Sequence, residues 1–276
     1  MPELPEVETV RRGLVPVLQG TILIDVQTFR EDLRYPFPLF FAEQLKGQTV
    51  ETLERRAKYL LLHLSGSQTL IIHLGMSGRL RIDSTHDFIK QKHDHVIFRT
   101  SRHQTIAYND ARRFGLMDLI PTQNWHDYIH FKKLGPEPFD QEFTFEVFHK
   151  SLQKHQQPIK VALLDQRLIV GVGNIYASES LWGSKIHPNR SANTLTPKET
   201  ELLLINIREV LNRAIKAGGS TLRDHQQPDG KLGYFQHQFA VYSRYLEPCL
   251  REGCQGHIRK FAQAGRSTYY CEACQK

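Results

Sequence analysis

The sequence predicts an α+β chain in two parts, an antiparallel β-sandwich followed by a helical half that ends in a metal-binding tail. Three observations carry this reading. Short, alternating, β-branched runs separated by turn signals fill the first half. Helical periodicity takes over after the stretch Trp125–Pro138, which reads as a linker because its periodicity breaks and its proline content rises. All four cysteines lie beyond position 248, and in a reducing compartment such clustering favours a metal over disulfides.

Composition bounds the partners. A chain of 276 residues suits one large or two medium domains with real cores. The net charge of +7 and the pI near 9.2 suit a polyanionic partner, or else a solvated basic surface. No apolar run approaches the ~18 residues of a membrane span. The N-terminus lacks the charged-then-apolar pattern of a signal peptide, so a cytoplasmic location is expected.

Taken in order, the first element is a helix whose apolar positions Leu4, Val7, Val10, Leu14 and Leu18 recur at helical spacing. Pro5 reads as its first position, with Glu6 and Glu8 in the first turn, favourable to the macrodipole. The residues before it have chemistry of their own. Removal of Met1 leaves Pro2 as a free secondary amine, which titrates at roughly 8 and is a good carbonyl nucleophile. Glu3 stands beside it as a proton donor. The other reading is an ordinary helix start.

Strands are expected at residues 21–29, 50–53, 59–64, 69–74, 95–100, 105–109 and 116–120. Three loops between them are unusual. Glu54-Arg55-Arg56-Ala57-Lys58-Tyr59 places three cations before an apolar strand, where Lys58 either meets a phosphate or a reacting sugar or is a solubilising edge charge. His73-Leu74-Gly75-Met76-Ser77-Gly78-Arg79 carries Met76 at its tip, as a wedge for a base stack or as a core residue. Asn109-Asp110-Ala111-Arg112-Arg113-Phe114-Gly115 sets two arginines beside an aromatic, a pattern suited to phosphate contact with stacking. A turn salt-bridged to Asp110 is compatible with that.

In the second half, residues 143–154 and 159–164 read as helices. Gly171-Val172-Gly173-Asn174 then opens another, either as a backbone phosphate cradle or as a tight turn with Asn174 as N-cap. The third glycine and acidic partner of a dinucleotide fingerprint are missing. A long amphipathic helix over 197–217 has Thr196 as N-cap and stops at Gly218-Gly219. Residues 220–238 are long for a connector, and form either a lid over a bound base or a disordered segment. In the tail, Cys249 with Cys254 and Cys271 with Cys274 can offer four thiolates to one structural Zn²⁺. Between them Arg259, Lys260, Arg266, Thr268, Tyr269 and Tyr270 make a basic, aromatic hairpin suited to a DNA backbone.

Met-Pro-Glu-Leu-Pro-Glu-Val-Glu-Thr at the start, Gly-Val-Gly-Asn-Ile-Tyr-Ala-Ser-Glu inside and Gly-Arg-Ser-Thr-Tyr-Tyr-Cys-Glu-Ala-Cys-Gln-Lys at the end together resemble the bacterial formamidopyrimidine-DNA glycosylases from end to end. The resemblance implies a catalytic β-sandwich domain (1–130), a helix-two-turn-helix domain with a lid loop (131–238) and a zinc finger (239–276), with damaged double-stranded DNA bound across the cleft between the halves. It implies a monomeric, bifunctional glycosylase and abasic-site lyase that removes oxidised purines. Pro2 would be the Schiff-base nucleophile, Glu3 the acid for sugar opening, Lys58 the lysine of β-elimination and Arg266 the finger arginine of δ-elimination. His93, Arg112 and Asn174 would contact the DNA backbone. Met76, Arg112 and Phe114 would fill the gap left by the flipped base, and Thr221, Leu222 and Arg223 lie in the loop that closes over it. A further DNA-contacting cation falls to Lys154 or Lys160.

The first zinc knuckle departs from the family pattern, with four intervening residues instead of two. Endonuclease VIII-like enzymes share the architecture and favour oxidised pyrimidines, but usually have Gly where this chain has Leu4. A non-catalytic DNA-binding protein on the same scaffold is the alternative of a different class, against which intact Pro2, Glu3 and Lys58 argue.

Overall fold

The computed structural model describes residues 2–220, 228 and 233–276. The chain forms two compact units, Met1–Lys132 with Ala217–Tyr234, and Lys133–Lys216 with Phe235–Lys276.

The first unit is a sandwich of two four-stranded antiparallel sheets with helix α1 (Leu4–Leu18). One sheet orders β1 (Leu23–Thr28), β6 (Asp94–Thr100), β7 (Gln104–Asn109) and β5 (Arg79–Ser84). The other orders β2 (Val50–Arg56), β3 (Tyr59–Leu64), β4 (Gln68–His73) and β8 (Leu116–Pro121). The apolar stripe of α1 is buried along its length and shares one core with Leu60, Leu62, Ile72, Val96 and Phe98. Glu3 is the N-cap and Leu4, not Pro5, the first helical residue, so Pro5 stands second in the first turn, where its missing N–H removes no intrahelical bond.

Three parts of this unit differ from the sequence reading. β2 runs on through Glu54, Arg55 and Arg56, because these charged residues pair with Leu61, Leu60 and Tyr59 of β3. β5 escaped notice because its arginines mask the inward Leu80 and the half-buried Ile82, and it lies at a sheet edge. The short helix α2 (Phe41–Leu45) was missed for want of a full helical period. The supposed linker is ordered as well. A 3₁₀ segment (Thr122–Asp127) leads into an aromatic cluster in which Phe131 meets Tyr59 and Tyr128 edge-on, both at 5.1 Å.

The second unit packs α3 (Phe145–Leu152), α4 (Ile159–Leu164), α5 (Asn174–Gly183) and α6 (Pro197–Lys216). Phe148, Leu152, Leu163, Tyr176, Leu203 and Ile207 lie in its buried interior. Thr196 caps α6 as expected. Its hydroxyl accepts from Glu199 N at 3.3 Å, and the Glu199 carboxylate accepts from Thr196 N at 2.9 Å, a reciprocal capping box. The unit ends in a hairpin, β9 (Ile258–Gln263) and β10 (Arg266–Cys271), turned by Ala264 and Gly265, both at positive φ.

Candidate functional site

In the first unit the chain start is held inside the fold. Pro2 and Glu3 are both buried. Glu3 N donates to Glu6 Oε2 at 2.8 Å, while Glu6 Oε1 accepts from both the N–H and the hydroxyl of Ser220 at 2.9 Å. Glu6 therefore ties the first residues of α1 to the segment that follows α6. Sequence reading placed Glu6 only as a helix-dipole residue. The available signal was the Glu3-x-x-Glu6 spacing, which is that of a capping box.

Lys58 stands in the turn between β2 and β3, after Ala57 at φ 52°, and only 7 % of it is exposed. A solubilising edge charge would be in water, so that reading is set aside. The turn is braced by Arg55, which donates to Ala57 O at 3.0 Å and pairs with Glu8 of α1 at 3.4 Å. Glu8 also accepts from Arg11 and Arg12 at 2.8 Å each. Burial alone would raise its carboxyl, but the bonds from Arg11 and Arg12, with the charges of Arg11 and Arg55, bring it down to about 2.

The two Gly-containing loops of this unit come together. Met76 is 41 % exposed, which removes the core reading for it. Phe114 is also exposed, with the Arg112 guanidinium 4.8 Å from its ring centre. With Leu33, Arg34, His73 and Arg113 they line a cavity of about 530 Å³. Asp110 is the hub that fixes both loops. Its carboxylate accepts from Ser77 Oγ at 2.5 Å, Gly115 N at 2.9 Å, Tyr108 OH at 3.2 Å and Arg112 N at 3.3 Å. The arginine thus contributes its main chain to this turn. Gly75 is at φ 64°, and a Cβ there would lie 2.3 Å from the Phe114 carbonyl carbon, so the loops touch backbone to backbone. His73 Nδ1 accepts from Gly75 N at 3.1 Å. Burial, then the charges of Lys58 and Arg34, hold this imidazole neutral, its pKa lowered to about 4. His93 is half-buried beside the same loop, its carbonyl accepting from Asp110 N at 3.1 Å.

In the second unit Gly173 is the N-cap of α5, and Asn174 is its first residue, so the N-cap reading for Asn174 fails. The Asn174 side chain belongs to a buried polar cluster. Its Oδ1 accepts from Lys160 Nζ at 2.6 Å, and its Nδ2 donates to Ser267 O at 2.9 Å and to Tyr242 OH at 3.4 Å. Lys160 Nζ donates further to Thr268 Oγ1 at 2.7 Å. Lys160 is only 1 % exposed, whereas Lys154, just past α3, lies at the surface. Sequence reading missed Glu179, whose buried carboxylate accepts the N–H groups of Ala240, Val241 and Tyr242 at 2.8–3.0 Å. Burial raises its carboxyl against the pull of those three bonds. The clue was the one charged residue in the Ile175–Leu181 run of α5. Arg266 is exposed at the hairpin turn. Thr221, Leu222 and Arg223 lie outside the described residues.

The four cysteine sulfurs converge, all within 4.8 Å of one another, with Cys249 and Cys274 at 3.9 Å and Cys254 and Cys271 at 3.6 Å. A tetrahedral Zn²⁺ with bonds of about 2.3 Å needs sulfurs about 3.8 Å apart, so the set fits one zinc ion. Trp182 Nε1 and Arg251 N donate to Cys249 Sγ at 3.3 and 3.5 Å, as expected around a thiolate ligand. The longer first knuckle leaves this convergence intact.

Three family models match the chain. The formamidopyrimidine-DNA glycosylase N-terminal domain matches residues 1–117, its H2TH domain residues 134–226, and the zinc finger found in FPG and IleRS residues 247–276. A formamidopyrimidine-DNA glycosylase of Ruegeria pomeroyi is 47 % identical and one of Beijerinckia indica 49 % identical, each alignment covering 100 % of both chains. Among solved structures, a mutant Lactococcus lactis FPG with Fapy-dG containing DNA superposes with a TM-score of 0.90 at 38 % identity, covering 100 % of both chains. The L. lactis enzyme with oxidized pyrimidine containing DNA gives the same score and identity over the same coverage. On full-length identity, all three domains and a matching fold, the chain belongs to the formamidopyrimidine-DNA glycosylase family.

Proposed function

We propose that this chain is a base excision repair enzyme that removes oxidised purines from duplex DNA and cuts the resulting abasic strand by β,δ-elimination. Full-length likeness to formamidopyrimidine-DNA glycosylases carries the reading. The buried Pro2–Glu3 start and the buried Lys58 in one unit support it.

A damaged purine inside a duplex is out of reach of a protein nucleophile, so it is first swung out of the stack. Met76, Arg112 and Phe114 fill the gap, and His93, Arg112, Asn174 and Lys154 hold the backbone, with Arg223 in the closing loop. The Pro2 amine, freed by removal of Met1, then attacks C1′ while Glu3 gives a proton to the opening sugar oxygen. The base leaves, and the charged iminium acidifies the C2′ proton. Its removal expels the 3′ phosphate, with Lys58 in the β-elimination. A second elimination, assisted by Arg266, expels the 5′ phosphate, and hydrolysis returns the amine. Cys249, Cys254, Cys271 and Cys274 would hold zinc with four thiolates, a ligand set that would leave it a structural role in folding the finger. Among the described residues no helix is long and apolar enough to cross a membrane; the reading includes a DNA-associated monomer in the cytoplasm.

Borohydride trapping on a duplex with 8-oxoguanine opposite cytosine, beside one with an oxidised pyrimidine, tests this. A covalent adduct at Pro2, stronger with the purine, is expected. The L. lactis complex with an oxidized pyrimidine makes the second arm informative, since stronger trapping there would move the specificity to pyrimidines. Absence of an adduct with either duplex, with zinc and DNA binding intact, would leave a non-catalytic DNA-binding protein.

A further inference from the structure

The second unit carries an acid-rimmed apolar groove that the repair chemistry does not use. It is a cavity of about 450 Å³ between the segment 139–145 and α6. Its lining includes Phe139, Phe145, Leu204 and Ile205, of which Ile205 is 46 % exposed. Val147 and Leu202 leave further apolar surface on α3 and α6. Isolated exposed apolar residues are ordinary, but four on two packed helices and the segment leading into them form a patch.

Apart from Arg208, the charged side chains of the rim are carboxylates. Asp140 and Glu201 line the groove. Residues 137–146 hold Glu137, Asp140, Glu142 and Glu146 and no lysine or arginine. The lining cation, Arg208, points its N–H groups at the groove wall, donating to Pro138 O at 2.7 Å and Phe143 O at 2.6 Å. It braces the loop. In a chain of net charge +7, such a patch repels phosphates and anionic headgroups, which argues against a nucleic acid or a lipid surface.

We propose that this groove docks a Lys/Arg-rich amphipathic helix of another protein. The apolar face of that helix seats on Phe139, Phe145 and Ile205, and its flanking cations meet Asp140, Glu201 and the other carboxylates of 137–146. This is the helix-in-groove mode, with apolar anchors setting affinity and rim charges setting partner choice. The inference stands apart from the repair reading, and residues Asp140, Glu201 and Ile205 have no part in the proposed chemistry.

The test uses the zinc-loaded full chain with labelled methyl groups and a synthetic helix of about 18 residues, leucine on one face and lysine on the other. A twin with glutamate in place of lysine is the control. Methyl shifts at Leu202, Leu204 and Ile205 with the lysine peptide are expected, together with about tenfold weaker binding to the Asp140→Lys, Glu201→Lys variant, equivalent to about 1.4 kcal/mol. Thermal melting and lesion cleavage should be unchanged in that variant, since both positions are exposed. Three results would overturn the proposal: equal binding of the glutamate twin, unaltered binding by the double variant, or shifts confined to other surfaces. Concentration-dependent dimerisation abolished by Ile205→Asp would assign the groove to a second copy, and the proposal would likewise fall.

Discussion

Replacing Asp110 by Asn isolates the residue that fixes both wedge loops while changing no volume. The carboxylate accepts four hydrogen bonds, two on each oxygen, from Ser77 and Arg112 N and from Tyr108 and Gly115 N. An amide keeps one accepting oxygen and turns the other into a donor. Hydroxyls can rotate to accept, so Ser77 and Tyr108 adapt, but a backbone N–H cannot. The amide therefore orients its oxygen toward the shorter 2.9 Å bond from Gly115 N, and Arg112 N, 3.3 Å from the other position, keeps only its second acceptor, Ser77 Oγ at 3.1 Å. No donor is orphaned, and the loss comes from the three retained bonds, each of which falls from charge-assisted to neutral strength at a cost of about 0.5–1 kcal/mol. The sum is roughly 1.5–3 kcal/mol, within the ~5–15 kcal/mol of a typical domain, so the protein stays folded. Urea unfolding reads the stability. Single-turnover cleavage of an 8-oxoguanine duplex reads the loops, and should slow more than binding to undamaged duplex weakens. A stability loss below about 0.5 kcal/mol with unchanged cleavage would refute the assignment of Asp110 as the hub.

Further expectations follow from Glu8, the zinc site and Pro2. Glu8 has its carboxyl lowered from 4.5 to about 2 in the folded state. Its contribution is therefore complete above pH 4.5 and lost as pH falls from 4.5 toward 2, and Glu8→Gln should flatten the acid limb of stability against pH in that window. If the limb is unchanged, the Arg11–Arg12–Arg55 cluster contributes nothing. Elemental analysis should find one zinc per chain, and chelation should unfold the hairpin and weaken DNA binding while the first unit keeps its β signal. Equal DNA binding after chelation would dissociate the finger from the duplex. Pro2→Gly should sharply weaken borohydride trapping, because a primary amine gives a neutral imine that must gain a proton before hydride adds to C1′. Salt-sensitive DNA binding should persist, and equal loss of both would contradict the assigned role.

Much of this was legible in the residues because the relevant signals are local. The α1 stripe, the alternating strands, the α6 capping box and the cysteine pairs each announce themselves within a few positions. What escaped depends on long-range partners. β5 is a strand by virtue of its pairing with β7. Whether Lys58 is an edge charge stays open until the turn beside Ala57 is seen to bury it. The side chains of Lys160 and Asn174 meet Thr268 and Ser267 across roughly a hundred residues of chain, which no local pattern announces. Glu179 likewise has partners more than sixty positions away.

The tie between Glu6 and Ser220 also bears on the order of synthesis. Its two ends are 214 positions apart, and the first unit is complete only when Ala217–Tyr234 has been added. On a ribosome working at ~5–20 residues per second, the start of α1 waits on the order of 10–40 seconds for this partner. A nascent chain ended after residue 132 would hold both sheets without the acceptor's far donor at Ser220, and the Pro2 end would lack its last anchor. The start of α1, with the Pro2 proposed to form the imine, thus gains this partner only late in translation.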